Sequence, residues 1–245
     1  QNSEIVENSL TLKRHQIGAI SDLLELNQTT LDQDLLSLKE NLKNFAGIAP
    51  AEQPERFQGT LRPYQLQGLS FLKFLYDFHF HGMLADDMGL GKTVQVLSFL
   101  CSISQESQTL IVLPASLVFN WKLEIKRFTP HFKVCIHHGP KRSDTIDADA
   151  NIILTTYSTL RQDLRLFQNI SFECLILDEA QTIKNSETET FKSLVSLNAR
   201  FKLSITGTPI ENHLGELWSH FHFLMPELFG DKSTFLADLQ AATSD

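Results

Sequence analysis

The residues with the clearest chemistry lie in the run Leu84-Ala85-Asp86-Asp87-Met88-Gly89-Leu90-Gly91-Lys92-Thr93, which follows an apolar stretch and opens an amphipathic one. Gly89 and Gly91 permit backbone conformations that a Cβ would forbid, so the N–H groups of Asp87, Met88, Gly89, Leu90 and Gly91 can converge on an anion. Lys92 adds a mobile positive charge for terminal phosphates. Thr93 offers a hydroxyl to Mg²⁺ at the start of a helix whose dipole favours anions. The generic phosphate loop has glycine five residues before Gly91, where this chain has Asp86. A Gly-Lys-Thr tripeptide means little until the chain supplies partners for it.

Those partners follow in order. Leu175-Ile176-Leu177 runs straight into Asp178-Glu179-Ala180-Gln181. A strand ending in two acids suits a magnesium nucleotide: Mg²⁺ takes oxygen ligands and retains waters, so Asp178 would hold it while Glu179 polarises the attacking water. The bland alternative is an acidic helix start. Ser204-Ile205-Thr206-Gly207-Thr208 ends another strand in hydroxyls, either as an ordinary cap or as a sensor beside the acids. Ahead of the loop, Leu61-Arg62-Pro63-Tyr64-Gln65 starts a helix. Gln65 presents an amide complementary to adenine N6 and N7, its alternative being a helix cap, and Arg62 is grouped with it as nucleotide-binding.

The elements that must position these groups are legible as alternation. Apolar runs at 82–85, 110–113, 133–137, 152–154, 174–177 and 201–205 alternate with helical stretches at 91–103, 116–128 and 187–196, after a helix to about Phe78. The pattern predicts an α/β fold, a mostly parallel sheet sandwiched by helices, with ligands at the carboxyl ends of the strands. Residues 1–58 differ, with nine acids against five bases and helical spacing at Leu12, Ile17, Ile20, Leu24 and at Leu31, Leu35, Leu38, Leu42, Phe45. They read as a short helical appendage, with Gly47 to Gly59 as a linker, before a domain at 59–245.

Composition narrows the class. The chain has 245 residues, 42% hydrophobic and 20% charged, and no apolar run of the about 18 residues a membrane helix needs. Cys101, Cys135 and Cys174 lack disulfide or zinc spacing and read as buried thiols. The net charge of −8 excludes a uniformly positive coat, although Lys122 to Arg142 carries six bases against one acid. The pairs His79/His81, His137/His138 and His220/His222 lack further ligands at metal spacing and read as packing or surface residues.

Taken together, the quoted motifs, with Ile183-Lys184-Asn185 after the acids and Glu216-Leu217-Trp218 after the threonines, resemble the N-terminal lobe of Swi/Snf-type helicase-like ATPases of helicase superfamily two. The similarity covers about 59–230, and Asp86 is characteristic of that family's loop. It implies a RecA-like P-loop lobe, ATP and Mg²⁺ as cofactors, and DNA-dependent ATP hydrolysis by a motor that tracks on duplex DNA and remodels protein–DNA complexes. Lys92, Asp178, Glu179 and Gln181 are then catalytic. Thr206, Gly207 and Thr208 couple, with Gln181 bridging to the two threonines by hydrogen bonds. Pro114, Ser116, Trp121, Thr155, Thr156, Tyr157, Lys184 and Asn185 serve nucleic acid. Gln181 replaces a histidine found in many members, which points to a bacterial-type source and nucleoid-associated cytoplasm; a eukaryotic source implies the nucleus.

Members close ATP between two lobes, the second supplying arginines. The expected partners are therefore duplex DNA, that second lobe and unidentified proteins, with no membrane. A chain holding only the first lobe should bind ATP and DNA weakly and hydrolyse little. Two readings compete: a P-loop regulatory module acting through protein partners, and an RNA helicase lobe. No Asn-Lys-x-Asp guanine reader is present.

Overall fold

The computed structural model describes residues 5–6, 9–10, 47–103, 108–208, 214–226 and 230–242. Contacts divide the chain into two compact units, Gln1–Ile48 and Ala49–Asp245. In the first, Ile5–Val6 pairs antiparallel with Ser9–Leu10, which the sequence did not suggest. The helices read between Leu12 and Phe45 lie outside the described residues.

The second unit is built on a six-stranded sheet, β1 (Gly82–Leu84), β2 (Thr109–Leu113), β3 (Val134–His137), β4 (Ile152–Thr156), β5 (Phe172–Leu177) and β6 (Ala199–Ile205). Its order is β1-β6-β5-β2-β4-β3 and every pairing is parallel. A parallel sheet covered on both faces needs apolar residues at consecutive positions, since neighbours point to opposite sides. In β2, Ile111 and Leu113 enter one core while Leu110 and Val112 enter the other; in β5, Cys174 and Ile176 oppose Leu175 and Leu177.

Helices α1 (Pro63–Asp77), α2 (Lys92–Ser102) and α3 (Val118–Phe128) bury Leu69, Leu72, Val96, Phe99, Trp121 and Ile125 in the first core. The second is covered by α4 (Tyr157–Gln162), α5 (Leu164–Phe167), α6 (Glu189–Val195) and α7 (Leu214–Leu224), through Leu160, Phe167, Phe191, Leu194 and Phe223. A last helix, α8, spans Lys232–Ala242. Helices α1 and α2 approach closely at Gly68, where a Cβ would fall 1.7 Å from Gln95 Oε1.

Residues 49–59 pack on this unit. The Ala51 N–H donates to Ser70 Oγ (2.8 Å), Gln53 Oε1 accepts from the Leu61 N–H (2.8 Å), and buried Phe57 stacks on Phe128 with centroids 5.5 Å apart. Proline and glycine marked this stretch as a linker, but its aromatic ring makes it a strap across α1 and α3. No helix among the described residues is long and apolar enough to cross a membrane.

Candidate active site

Because all six strands run the same way, the turns after β1, β6 and β5 emerge side by side at one edge. Those turns carry Asp86–Gly91, Thr206–Thr208 and Asp178–Gln181. Gly89 and Gly91 adopt φ of +83° and +73°, in the left-handed region. Gly91 is required twice over, because a Cβ there would also lie 2.7 Å from Gln65 Nε2. Asp86 is absent from the positive-φ residues, so glycine is not needed at that position. Its carboxylate instead accepts from Gln95 Nε2 on α2 at 3.0 Å, bracing the loop.

The Lys92 ammonium is folded into the loop, donating to the carbonyls of Asp86 (2.6 Å) and Asp87 (3.1 Å). Gln65 takes its helix-cap reading and adds a tie to the phosphate loop. Its Oε1 accepts from the Arg62 N–H (2.9 Å), capping α1, and its Nε2 donates to the Leu90 carbonyl (3.3 Å), tying that helix to the phosphate loop. One amide hydrogen remains for a base. Thr93, half-buried, stands in the first turn of α2.

Opposite the loop, Asp178 is 9% exposed. Its Oδ2 accepts from Trp121 Nε1 (2.6 Å), its Oδ1 from the Glu179 N–H (2.9 Å), and its carbonyl from the Tyr157 hydroxyl (2.7 Å). Burial pushes the Asp178 carboxyl above its ordinary value, while the Trp121 and Glu179 hydrogen bonds pull it back. Glu179 takes φ +49°, a conformation that costs a non-glycine residue about 1–3 kcal/mol. From it runs a chain of hydrogen bonds. Glu179 Oε2 accepts from Gln181 Nε2 (2.7 Å), Gln181 Oε1 from the Thr206 hydroxyl (3.0 Å), and Thr206 Oγ1 from the Thr208 N–H (3.1 Å). Gly207 then abuts the phosphate loop, where a Cβ would sit 3.0 Å from Met88 Cγ.

The residues assigned to nucleic acid separate into two sets. Ser116, Lys184 and Asn185 are exposed and Pro114 is half-buried. Trp121, Thr155, Thr156 and Tyr157 are buried, and their side chains bond or pack within the lobe rather than facing solvent. Trp121 belongs to the apolar face of α3 with Val118 and Ile125. The Thr155 hydroxyl donates to the His137 carbonyl (2.9 Å), Thr156 caps α4 by accepting from the Thr159 N–H (3.2 Å), and Tyr157 reaches back to Asp178.

Sequence reasoning missed the ion network that joins the end of β3 and the β3–β4 loop to Asp163 at the end of α4. Arg142 Nε donates to Asp163 Oδ2 and Nη2 to Oδ1 (3.1 Å), while buried His137 places Nε2 2.9 Å from Oδ2. A cavity of about 660 Å³ beside it is lined by Arg142, Arg161, Gln162 and Arg165 and includes no residue of the phosphate loop. The guanidinium, above other causes, holds the Asp163 carboxyl at about 2, below its ordinary 3.8. A carboxylate depressed in the folded state contributes stability that is complete above the unfolded value and lost as pH falls towards the folded one. The stability gap between the parent and Arg142→Ala should therefore be full at pH 7 and close between about pH 4 and 2. Urea melts at pH 7, 4 and 2.5 check this, and a gap independent of pH would refute it.

The fold and this edge define a P-loop nucleoside-triphosphate domain of RecA-like architecture. Comparison with known proteins then fixes the family: the SNF2-related domain matches residues 64–244, and the chain belongs to that family, within helicase superfamily two. It is 40% identical over 235 residues to the chromatin-remodeling ATPase INO80 of Arabidopsis thaliana, covering 89% of this chain and 15% of that protein. Against the helicase SWR1 of Saccharomyces cerevisiae it is 37% identical, covering 91% of this chain and 15% of that one. Among solved structures, the Sulfolobus solfataricus SWI2/SNF2 ATPase core in complex with dsDNA aligns with a TM-score of 0.72 at 38% identity, over 77% of this chain and 40% of that chain. The chain thus spans about one seventh of the length of these curated relatives. They are eukaryotic and the solved core is archaeal, so the bacterial source inferred from Gln181 finds no support.

Proposed function

We propose that this lobe binds ATP with Mg²⁺ and forms, within a longer protein, the nucleotide-binding half of a motor that hydrolyses ATP while moving on duplex DNA. The observation that supports this best is the continuous hydrogen-bonded path from Glu179 through Gln181 to Thr206 and Thr208, set against the phosphate loop at Gly207. Such a path can register whether a terminal phosphate is present.

In this reading Asp87–Lys92 cradle the phosphates, with Gln65 and Arg62 at the base. Thr93 and Asp178 would hold Mg²⁺: an all-oxygen pair facing a phosphate loop is the donor set a hard, partly hydrated cation takes. Among the described residues no cluster of three or more His, Cys, Asp or Glu is placed to hold a metal. Bound Mg²⁺ supplies charge neutralisation at the phosphoryl oxygens. Glu179 orients the attacking water. Exposed Ser116, Lys184 and Asn185, with half-buried Pro114, are the set for DNA backbone contacts, and the relative solved in complex with dsDNA supports a duplex track. A second lobe contributes arginines, worth ~10³ to 10⁵ in rate in related enzymes. A nuclear place of action accompanies the eukaryotic relatives.

The test compares ATP turnover by the longer protein with duplex DNA, single-stranded DNA and RNA, and by residues 1–245 alone. Duplex DNA should stimulate most and the isolated lobe should turn over slowly. Stimulation by RNA alone would transfer the lobe to the RNA helicases, and stimulation by none would favour the regulatory module.

A further inference from the structure

The indole of Trp121 is unused by the reading above, yet it makes a specific contact. It is 1% exposed, and its Nε1–H donates to Asp178 Oδ2 at 2.6 Å across 57 residues of sequence. The other carboxylate oxygen is held by the Glu179 N–H at 2.9 Å, and the Tyr157 hydroxyl holds the carbonyl of the same residue at 2.7 Å. Asp178 is therefore gripped at three atoms, two of them on the carboxylate. An indole N–H is a donor only, so it fixes the plane of the carboxylate while leaving lone pairs on both oxygens for a cation or its waters. Hydrogen bonds of this kind around a ligating carboxylate orient it, and their loss costs metal affinity even though the ligand itself remains.

The position of Trp121 in its helix adds a second link. Helix α3 follows directly on the Pro114–Leu117 turn, where Ser116 is exposed and Phe119 on the first helical turn is 68% exposed. The exposed turn and the indole therefore lie on one continuous stretch of chain, with Trp121 in the first turn of the helix that the turn runs into.

We propose that Trp121 is a positioning residue that holds the Asp178 carboxylate in its Mg²⁺-binding orientation and thereby ties α3, with the exposed turn before it, to the metal site. The inference rests on the reading of Asp178 as a magnesium ligand. It changes the expected role of Trp121 from groove contact to a link between the groove side and the nucleotide side.

The test measures affinity for a fluorescent ATP analogue with and without Mg²⁺, in the parent chain, in Trp121→Phe and in a chain carrying 3-benzothienylalanine at position 121. The last keeps the size and shape of the indole and replaces its N–H with sulfur, so it remains informative where Trp121→Phe folds poorly. The expected result is a loss of about tenfold in the Mg²⁺-dependent gain in affinity, with the Mg²⁺-free affinity and the melting temperature of the isostere close to the parent's. A role in packing alone would move both affinities together. Full Mg²⁺ dependence in the isostere overturns the inference and leaves Asp178 as ligand. No Mg²⁺ dependence in the parent overturns the assignment of Asp178, and the role of Trp121 with it.

Discussion

Glu179→Gln should leave ATP bound and stop its hydrolysis, lowering single-turnover rates of the longer protein on duplex DNA by about 10²–10⁴, the range a general base supplies. The substitution isolates the charge. Glutamine keeps an oxygen where Glu179 Oε2 now accepts from Gln181, so the path onward to Thr206 persists. Backbone is equally undisturbed, since the left-handed φ of +49° is set by the turn between β5 and the short 3₁₀ segment Ala180–Ile183. A non-glycine residue in that conformation is a local cost that the surrounding hydrogen bonds must offset, and it aims the carboxylate before any ligand arrives. The decisive comparison is rate against affinity. ATP binding should stay within about twofold of the parent, an energy difference small beside any charged hydrogen bond. A turnover rate within tenfold of the parent would remove Glu179 from catalysis and leave it a member of the hydrogen-bonded path.

The sheet was legible because strands buried on both faces must be apolar at every position, and the runs at 110–113, 152–154 and 174–177 are continuous for that reason. Strand order was not legible. Placing β6 between β1 and β5 depends on crossovers that no local pattern records, yet that placement brings Thr206 beside Asp178 and the phosphate loop. Helices α4 and α5, of six and four residues, are too short to show a helical period. Gln95 gave no signal as the brace of Asp86, because its partner lies across a turn whose shape only the folded chain defines.

Trp121 carried two sequence signals that point different ways. Its position after the Pro114-Ala115-Ser116-Leu117 run suggested a groove contact, whereas its spacing with Val118 and Ile125, three residues before and four after, described the buried stripe of an amphipathic helix. The period was the better guide to where the side chain points. The same holds for Thr155 and Thr156 at the end of β4, where hydroxyls in an apolar strand must find internal partners and do so at His137 and at the cap of α4. Burial decides which members of these motifs can meet solvent.

The largest loss of nucleotide binding is expected from Lys92→Ala. The ammonium bridges the Asp86 and Asp87 carbonyls at 2.6 and 3.1 Å, tying the loop together. An incoming triphosphate replaces neutral carbonyl acceptors with charged oxygens, and hydrogen bonds between charged groups are the stronger kind. Alanine removes both the bridge and the exchange. ATP affinity should fall by about 10²-fold, two charge-assisted contacts at the lower end of their usual strength. The loss should be similar with and without Mg²⁺, because Lys92 meets phosphate directly, and this separates it from Trp121, whose effect is confined to the Mg²⁺-dependent part. Folding should be nearly unaffected: Asp87 is exposed and Asp86 half-buried, so water can take the place of the ammonium at their carbonyls. Titration of a fluorescent ATP analogue, paired with thermal melts, reads all three quantities. Binding within threefold of the parent in either condition would mean that Gly89 to Thr93 do not form a phosphate cradle, and the roles given to Asp178 and Glu179 opposite them would lose their footing.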